Sequence, residues 1–290
     1  MNQNNGTIIY QDKHILVCHK PAGLAVQSRQ IGQMDLESQV RNYLARQENE
    51  RAPQPPYLGL VHRLDQPVEG IVVFALNRKA AASLSAQLTD GRMHKEYSAV
   101  CCEVGQEGRS PLSHFEHPES GTEANVPPVP LTHWLLKDAR TNLSRVVTEK
   151  TPGAKRAFLE YRIERSRQEE AHTYHLVHIW LHTGRHHQIR VQMAAAGLPL
   201  YGDRKYNPKW EEFRSEVLDG LGSRGSEDFG SGGELRSGRE LRGGGEIRGC
   251  RLALCASRLT LEHPATGKEM TLQVTPWFEV GQEGRSPLSH

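Results

Sequence analysis

The chain has 290 residues, of which 37% are hydrophobic, so it is long and apolar enough to bury a core in one large domain or two small ones. No run approaches the roughly eighteen apolar residues of a membrane-spanning helix, and the start of the chain lacks the pattern of a signal peptide, which predicts a globular, cytoplasmic protein. The formal net charge of +2 is weak evidence for a polyanionic partner, because nucleic-acid binding requires a basic face rather than a basic total.

Local patterns in the first third of the chain predict strands and one helix. The segment "TIIYQDKHILVCHKPAG" indicates two short strands around a polar turn at Gln11–Lys13, ended by Pro21 and Gly23. A strand-like "LVHRL" precedes Asp65, and "GIVVFAL" is typical of a buried strand. The Ala/Leu-rich "RKAAASLSAQLTDG" predicts a helix that ends at Gly91, and "KEYSAVCCEV" alternates like a strand.

The remaining elements are again mostly strands. "RAFLEYRIERS" and "HTYHLVHIWLHTG" predict two more, and "RHHQIRVQMAAAG" predicts a helix with Gly197 as its stop signal. "RLALCASRLTLEHPATGKEMTLQV" predicts two strands around a turn. Because strands outnumber helices and most neighbours are joined by turns, the sequence predicts an α+β fold: a mixed, largely antiparallel sheet with helices packed on it.

A single domain is expected to span residues 1–290, with three segments that do not belong to its packed core. Glycine, proline and serine dominate residues 105–130, which predicts a long flexible surface loop. Residues 220–249 contain eleven glycines and almost nothing apolar, which predicts a disordered insertion. The tail at 279–290 repeats "EVGQEGRSPLSH" from 103–114 without change, and we interpret it as duplicated sequence without chemistry.

Three polar clusters are candidate sites, and each has a structural alternative. Asp65 in "VHRLDQPVEG" is either a turn cap or an anchored nucleophile. "HTGRHHQIR" lies at a strand-to-helix junction and is either an anion site or an amphipathic helix with Ile189 and Met193 inward. In "HKEY", Tyr97 is either a core side chain or a ligand. Arginine and histidine concentrate in residues 181–190, 202–209 and 90–97, and a fold that joins these segments creates a cationic groove.

Several other chemistries lack their sequence signatures. The histidines near residue 186 have no carboxylate at the HExxH spacing, so no metal site is predicted. The five cysteines show no CxxC pair, which argues against disulfides and structural zinc. The GxSxG signature of serine hydrolases and the GxxxxGK[ST] loop that cradles phosphates are both absent from the sequence.

Five segments in order give the chain a family resemblance: "KPAG", "VHRLDQPVEGIVVFA", "KEY", "HTGRHHQIRVQMAAAGLPLYGDRKY" and "SRLTLEHPATGKE". Together they resemble the RluA-type pseudouridine synthases, enzymes that isomerise uridine within structured RNA. The resemblance covers about residues 7 to 276, apart from the predicted loop and insertion. It implies an α+β catalytic fold, ribosomal or transfer RNA as partner, and an isomerase that needs no cofactor. The small RNA-binding domain that often precedes this fold is not expected here. The protein is expected to be a monomer.

The resemblance also implies roles for particular residues. Asp65 matches the essential catalytic carboxylate, Tyr97 the ring that packs on the flipped uracil, and Arg190 the arginine that pairs with the carboxylate. Arg63 matches the arginine that enters the RNA where the target base leaves, which suits a flat cation able to stack on bases. The other residues expected to contact RNA are His62, Lys95, Gly184, Arg185, His187 and Gln188.

One position departs from the family pattern. Where many members have Thr-Ser-Gly after the aspartate, this chain has Val68, Glu69 and Gly70, so a charge replaces a hydroxyl close to the expected site. The reaction class is expected to survive this change, and substrate identity does not transfer. Two alternatives to an enzyme are a catalytically inactive RNA-binding protein on the same scaffold and an unrelated structural protein with fortuitous motifs.

Overall fold

The structure, a computed structural model, describes residues 5–28, 32–47, 56–103, 127–169, 172–209 and 251–278. Eleven strands in these ranges form one sheet. They are β1 (Thr7–Gln11), β2 (Ile15–Lys20), β3 (Gly59–Leu60), β4 (Glu69–Ala75), β5 (His94–Cys102), β6 (Val129–Asp138), β7 (Leu143–Val147), β8 (Lys155–Glu169), β9 (His172–Leu181), β10 (Leu254–Glu262) and β11 (Glu269–Gln273). The three helices described are α1 (Leu36–Gln47), α2 (Arg78–Asp90) and α3 (Gln188–Ala195).

The sheet is mixed and almost wholly antiparallel. Its order is β1-β2-β4-β10-β5-β9-β8-β6-β7, with β11 added to β10 and β3 to β4. The single parallel pair described, β4 with β10, joins the two halves of the sheet. Gly70 makes this joint: its φ is +132°, and a Cβ there would lie 2.5 Å from the backbone nitrogen of Ala256, so only glycine permits the approach. The predicted α+β class is confirmed.

Helices cover both faces of the sheet. In β4, Val72 and Phe74 belong to the cluster that also buries the apolar side chains of α1 and α3, whereas Ile71 and Val73 belong to the cluster under α2. The alternation of β4 therefore runs between two cores, which explains why its sequence is apolar throughout. No helix in the described ranges is long and apolar enough to cross a membrane.

Most elements follow the sequence predictions, but helix α1 and strands β6 and β7 were missed. The two strands ended by Pro21 and Gly23, the buried strand before α2, and α2 itself with Gly91 at its end are all present. Helix α1 carries Leu36, Val40 and Leu44 on its buried side, and the Asp35 carboxylate accepts the backbone N–H of Ser38. This apolar spacing of four behind an aspartate cap was a readable signal.

Three boundaries differ from the predictions. The strand-like "LVHRL" is a strand only at Leu60; residues 61–68 form an irregular loop between β3 and β4, in which the backbone carbonyl of Gln66 accepts from Gly23 of another loop and from Lys20. The expected loop 105–130 overlaps β6, which begins at Val129 because Val129 and Leu131 pack on the core. Helix α3 begins at Gln188 rather than at Arg185. The predicted insertion at 220–249 and the tail at 279–290 lie outside the described residues.

Candidate active site

A cavity of about 680 Å³ lies where the loop after β3, the start of β5, the loop after β9 and helix α3 meet. The ten residues expected from the sequence to act in catalysis or RNA contact all line it: Asp65, Tyr97, Arg190, Arg63, His62, Lys95, Gly184, Arg185, His187 and Gln188. The fold thus brings together clusters that are more than a hundred residues apart in sequence. The volume of the cavity is in the usual range for ligand sites.

The loop that carries Asp65 is held from behind by Lys20. This side chain is fully buried, and its ammonium donates to the carbonyl oxygens of Gln66 at 3.1 Å, Leu24 at 2.7 Å and Pro21 at 3.0 Å. Burial lowers the pKa of Lys20 to about 7, against the opposing influence of Asp65 and Glu69. Lys20 therefore fixes the backbone next to the candidate catalytic carboxylate, a role that the sequence reasoning did not assign although "KPAG" had been singled out.

The carboxylate of Asp65 is partly buried and lies close to several cationic side chains. Its side chain is 33% exposed. Burial raises the pKa of Asp65, while Arg190, Lys20 and Lys205 pull it down. The direction that prevails is upward, because burial outweighs the lowering effect of Arg190 and the two lysines. The raised pKa means that the ionised form is held in a poorly solvated place.

Arg190 forms its ion pair with another carboxylate than the one expected. Its guanidinium makes a two-pronged bond to Asp203, Nε to Oδ2 at 2.8 Å and Nη2 to Oδ1 at 2.7 Å, and both side chains are buried. Asp203 also accepts the backbone N–H groups of Lys205 and Tyr206. Arg190 therefore acts on Asp65 through space rather than by a direct salt bridge. Asp203 was missed, although a buried arginine on an apolar helix implies a buried carboxylate.

Tyr97 projects from β5 into the wall of the cavity. It is 6% exposed, and its strand partner across the ladder to β9 is Ile179. Burial raises the pKa of the Tyr97 hydroxyl above its ordinary value, and the nearby Asp65 raises it further. The phenol therefore stays protonated at neutral pH and presents mainly a flat apolar surface to the cavity.

Two of the other expected residues make contacts that hold the site together. Nε2 of His62 accepts the backbone N–H of Val73 at 3.3 Å, and burial beside Lys95 lowers the pKa of His62 to about 3, so this ring is neutral. Gln188 is buried, its oxygen accepts the N–H of Arg185, and its amide donates to the carbonyl of Phe158. These two residues line the cavity, yet Nε2 of His62 and the side-chain amide of Gln188 are hydrogen-bonded within the protein itself.

Exposed cations stand at the edge of the cavity. Arg63 and Arg185 are exposed, and burial lowers the pKa of Lys95, whose ammonium lies close to Gly184. Lys137 also contributes to the lining. In the ranges that the structure describes, no three His, Cys, Asp or Glu side chains are arranged to hold a metal ion. The lining is suited to a polyanion with a flat, uncharged group inserted at its centre.

Glu69, whose charge was expected close to the site, points away from the cavity. Its carboxylate bonds to Nε2 of His19 at 2.8 Å and accepts the backbone N–H of Trp277 at 3.4 Å. It is buried and is not among the described residues that line the cavity. The charge that replaces the usual hydroxyl therefore faces the opposite side of β4 and secures β2 and the segment after β11.

Fold and cavity together define an α+β protein with one carboxylate set among cations. The sequence profile described as RNA pseudouridylate synthase matches residues 14–195. A relative named "Uncharacterized RNA pseudouridine synthase YhcT", from Bacillus subtilis (strain 168), is 32% identical over 69% of this chain and 57% of its own length. "Ribosomal large subunit pseudouridine synthase C" of Salmonella typhimurium is 29% identical over 92% of this chain and 65% of its own length.

The fold has a counterpart among solved structures. "Human RNA Pseudouridylate Synthase Domain Containing 4" superposes with a TM-score of 0.60 at 22% identity, over 94% of this chain and 90% of that one. The chain belongs to the RNA pseudouridylate synthase family. It spans less than two thirds of the length of the two curated relatives described above.

Proposed function

We propose that this chain is an RNA pseudouridine synthase, an isomerase that converts particular uridines in ribosomal or transfer RNA to pseudouridine. The observation that carries the proposal is the meeting of Asp65, Tyr97 and Arg190 at one cavity, edged by exposed cations, in a member of this family. Relatives named for the large ribosomal subunit favour ribosomal RNA. A monomeric state and a cytoplasmic location belong to the same proposal and rest on the sequence alone.

The proposed reaction is an isomerisation that side chains alone can support. The bond between nitrogen 1 of uracil and the ribose breaks, the base turns, and carbon 5 bonds to the ribose and loses its hydrogen, while nitrogen 1 gains a hydrogen, with no net oxidation and no phosphate consumed. No cofactor is therefore required. The target base must first leave the RNA stack, at a cost of a few kcal/mol. Asp65 is partly exposed to the cavity and so can reach the extruded nucleotide, while the buried ring of Tyr97 offers a stacking surface.

The roles divide according to where each side chain stands. Asp65 is the catalytic carboxylate, and Tyr97 packs against the uracil. Arg190 holds the charge balance around Asp65, and Asp203 keeps Arg190 in place. Arg63, exposed two residues before Asp65, enters the position that the target base leaves. Lys95 and Arg185 contact the RNA backbone.

The test is the Asp65→Asn variant, assayed for pseudouridine formation on unmodified ribosomal and transfer RNA. An enzyme loses turnover while the fold and RNA affinity are retained, because the amide keeps the shape and removes the carboxylate. A catalytically inactive RNA-binding protein would give no product before or after the substitution. A variant that retains turnover would show that Asp65 is a turn residue without a catalytic role.

A further inference from the structure

His187 has an unusual conformation at the edge of the cavity. It precedes α3 with φ of +54° and ψ of 26°, a left-handed backbone that is uncommon for residues other than glycine. Such a conformation persists where contacts around it define the position. Its Nε2 is 3.7 Å from Oδ2 of Asp65, and its Nδ1 is 2.7 Å from the hydroxyl of Tyr206. The ring therefore bridges the candidate catalytic carboxylate and a tyrosine that the sequence did not single out.

The proton of the Tyr206 hydroxyl is available to His187. The same hydroxyl oxygen accepts the backbone N–H of Ser144 at 2.8 Å, and a backbone N–H only donates. The oxygen therefore uses a lone pair toward Ser144 and keeps its own hydrogen for a second partner. Nδ1 of His187, at 2.7 Å, is that partner. Arg190, whose guanidinium lies 5.1 Å from the centre of the tyrosine ring, packs against the face of the same side chain.

The ring of His187 is neutral, so only one of its nitrogens carries hydrogen. Burial lowers the pKa of His187 to about 3, and Arg190, His186, Lys205 and Lys137 act in the same direction. If Nδ1 accepts from Tyr206, the hydrogen lies on Nε2 and faces Asp65. The opposite tautomer would direct an imidazole lone pair at a carboxylate oxygen, which is electrostatically unfavourable. Both sides of the ring thus favour the same tautomer.

We propose that Ser144, Tyr206 and His187 form a hydrogen-bond chain that directs the Nε2 hydrogen of His187 at the Asp65 carboxylate, with Tyr206 as a positioning residue for the reaction. This inference rests on the proposed function. No proton is transferred along the chain. A separation of 3.7 Å is longer than a hydrogen bond, and closing it by less than 1 Å creates one. Catalytic hydrogen bonds are often long before substrate binds, so RNA binding is the step that shortens this one.

The consequence falls on the ionisation of Asp65. Burial and the charge of Asp203 raise the pKa of Asp65. The charges of Arg190, Lys20 and Lys205 lower it. A donated hydrogen bond stabilises the carboxylate form and lowers the pKa further. Tyr206 thus helps keep Asp65 ionised in a cavity whose burial favours the protonated acid.

The first experiment measures the tautomer directly and needs no activity. Long-range proton–nitrogen spectra of the protein labelled with nitrogen-15 in histidine distinguish a protonated ring nitrogen from an unprotonated one, with His187→Gln identifying the resonances. We expect hydrogen on Nε2 in the wild type. In Tyr206→Phe we expect the Nδ1 resonance to shift because its donor is gone. In the control Tyr43→Phe, which removes an exposed hydroxyl bonded to Gln11 and Gln47, we expect no change. Hydrogen on Nδ1 in the wild type overturns the proposal.

The second experiment is the pH dependence of kcat/KM on RNA. For Tyr206→Phe we expect kcat about tenfold lower, unchanged RNA affinity, and an acid limb that moves to higher pH because Asp65 loses support for its charge. A uniform loss of kcat with an unmoved acid limb means that Tyr206 supports only the fold, and it overturns the proposal. A wild-type protein without isomerase activity refutes the proposed function instead, while the tautomer result stands on its own.

Discussion

The buried pair between Arg190 and Asp203 is the interaction whose loss should be felt most widely. In Asp203→Asn the side-chain oxygen still accepts the backbone N–H groups of Lys205 and Tyr206, but the negative charge opposite the guanidinium disappears. Breaking a buried pair by removing one partner costs about 3–5 kcal/mol. The side chains of Arg190 and Asp203 are 6% and 0% exposed, and Asp65 offers partial compensation, so we expect the lower end, about 3 kcal/mol.

Thermal unfolding followed by circular dichroism measures this change. For a domain of this size about 3 kcal/mol corresponds to a Tm lower by roughly 6–12 °C. The control is Asp90→Asn, which removes the charge of Asp90 from an exposed surface pair with Arg92 and should hardly move the Tm. A second readout is the acid limb of kcat/KM: because Asp203 raises the pKa of Asp65, its neutralisation should move that limb to lower pH. Unchanged melting together with an unmoved limb would refute the reasoning.

Three further outcomes are expected. Asp65→Asn should have a Tm at neutral pH no lower than that of the wild type. A carboxyl group whose pKa is raised in the folded state destabilises the fold at pH values above that pKa, and the amide removes this destabilisation. A clearly lower Tm contradicts this prediction. Lys20→Met should lower turnover about tenfold or more, because the carbonyl of Gln66 loses its anchor beside Asp65; wild-type turnover would show that the loop holds itself. Arg63→Ala should slow turnover while salt-dependent RNA affinity changes little, and a substrate with an already unpaired target should recover part of the rate; equal losses in both would make Arg63 a phosphate contact.

Local sequence chemistry was sufficient to predict much of the sheet and helix α2. In α2 the side chain of Asn77 accepts the N–H of Ala80, and Gly91 takes a left-handed conformation with φ of 82°, so both ends are specified by one residue each. The apolar run "GIVVFAL" predicted a buried strand equally clearly, and the structure has it at Glu69–Ala75, buried throughout.

The details of the site depended on contacts between distant segments, which a single sequence does not contain. "LVHRL" resembles a strand, yet the backbone carbonyl of Gln66 just after it is bound by Lys20 at the end of β2 and by Gly23 in the loop that follows β2. Arg190 had two carboxylates within its influence, and nothing in the local pattern indicated that Asp203 would take the direct bond. Glu69 lies four residues from Asp65 in sequence and on the other side of β4 in space, because β4 begins at Glu69 and directs its side chain away from the cavity.

The site is built so that its central carboxylate has cationic neighbours without being neutralised by any of them. Arg190 is already bonded to Asp203, and Lys20 gives its hydrogens to three carbonyl oxygens. Both cations therefore stabilise the charge of Asp65 through space without occupying its oxygens. A direct salt bridge would lower the pKa of Asp65 further but would occupy the oxygens that, in the proposed reaction, must reach the nucleotide. The raised pKa of Asp65 is the energetic consequence of placing this carboxylate in a partly buried cavity without a direct ion pair.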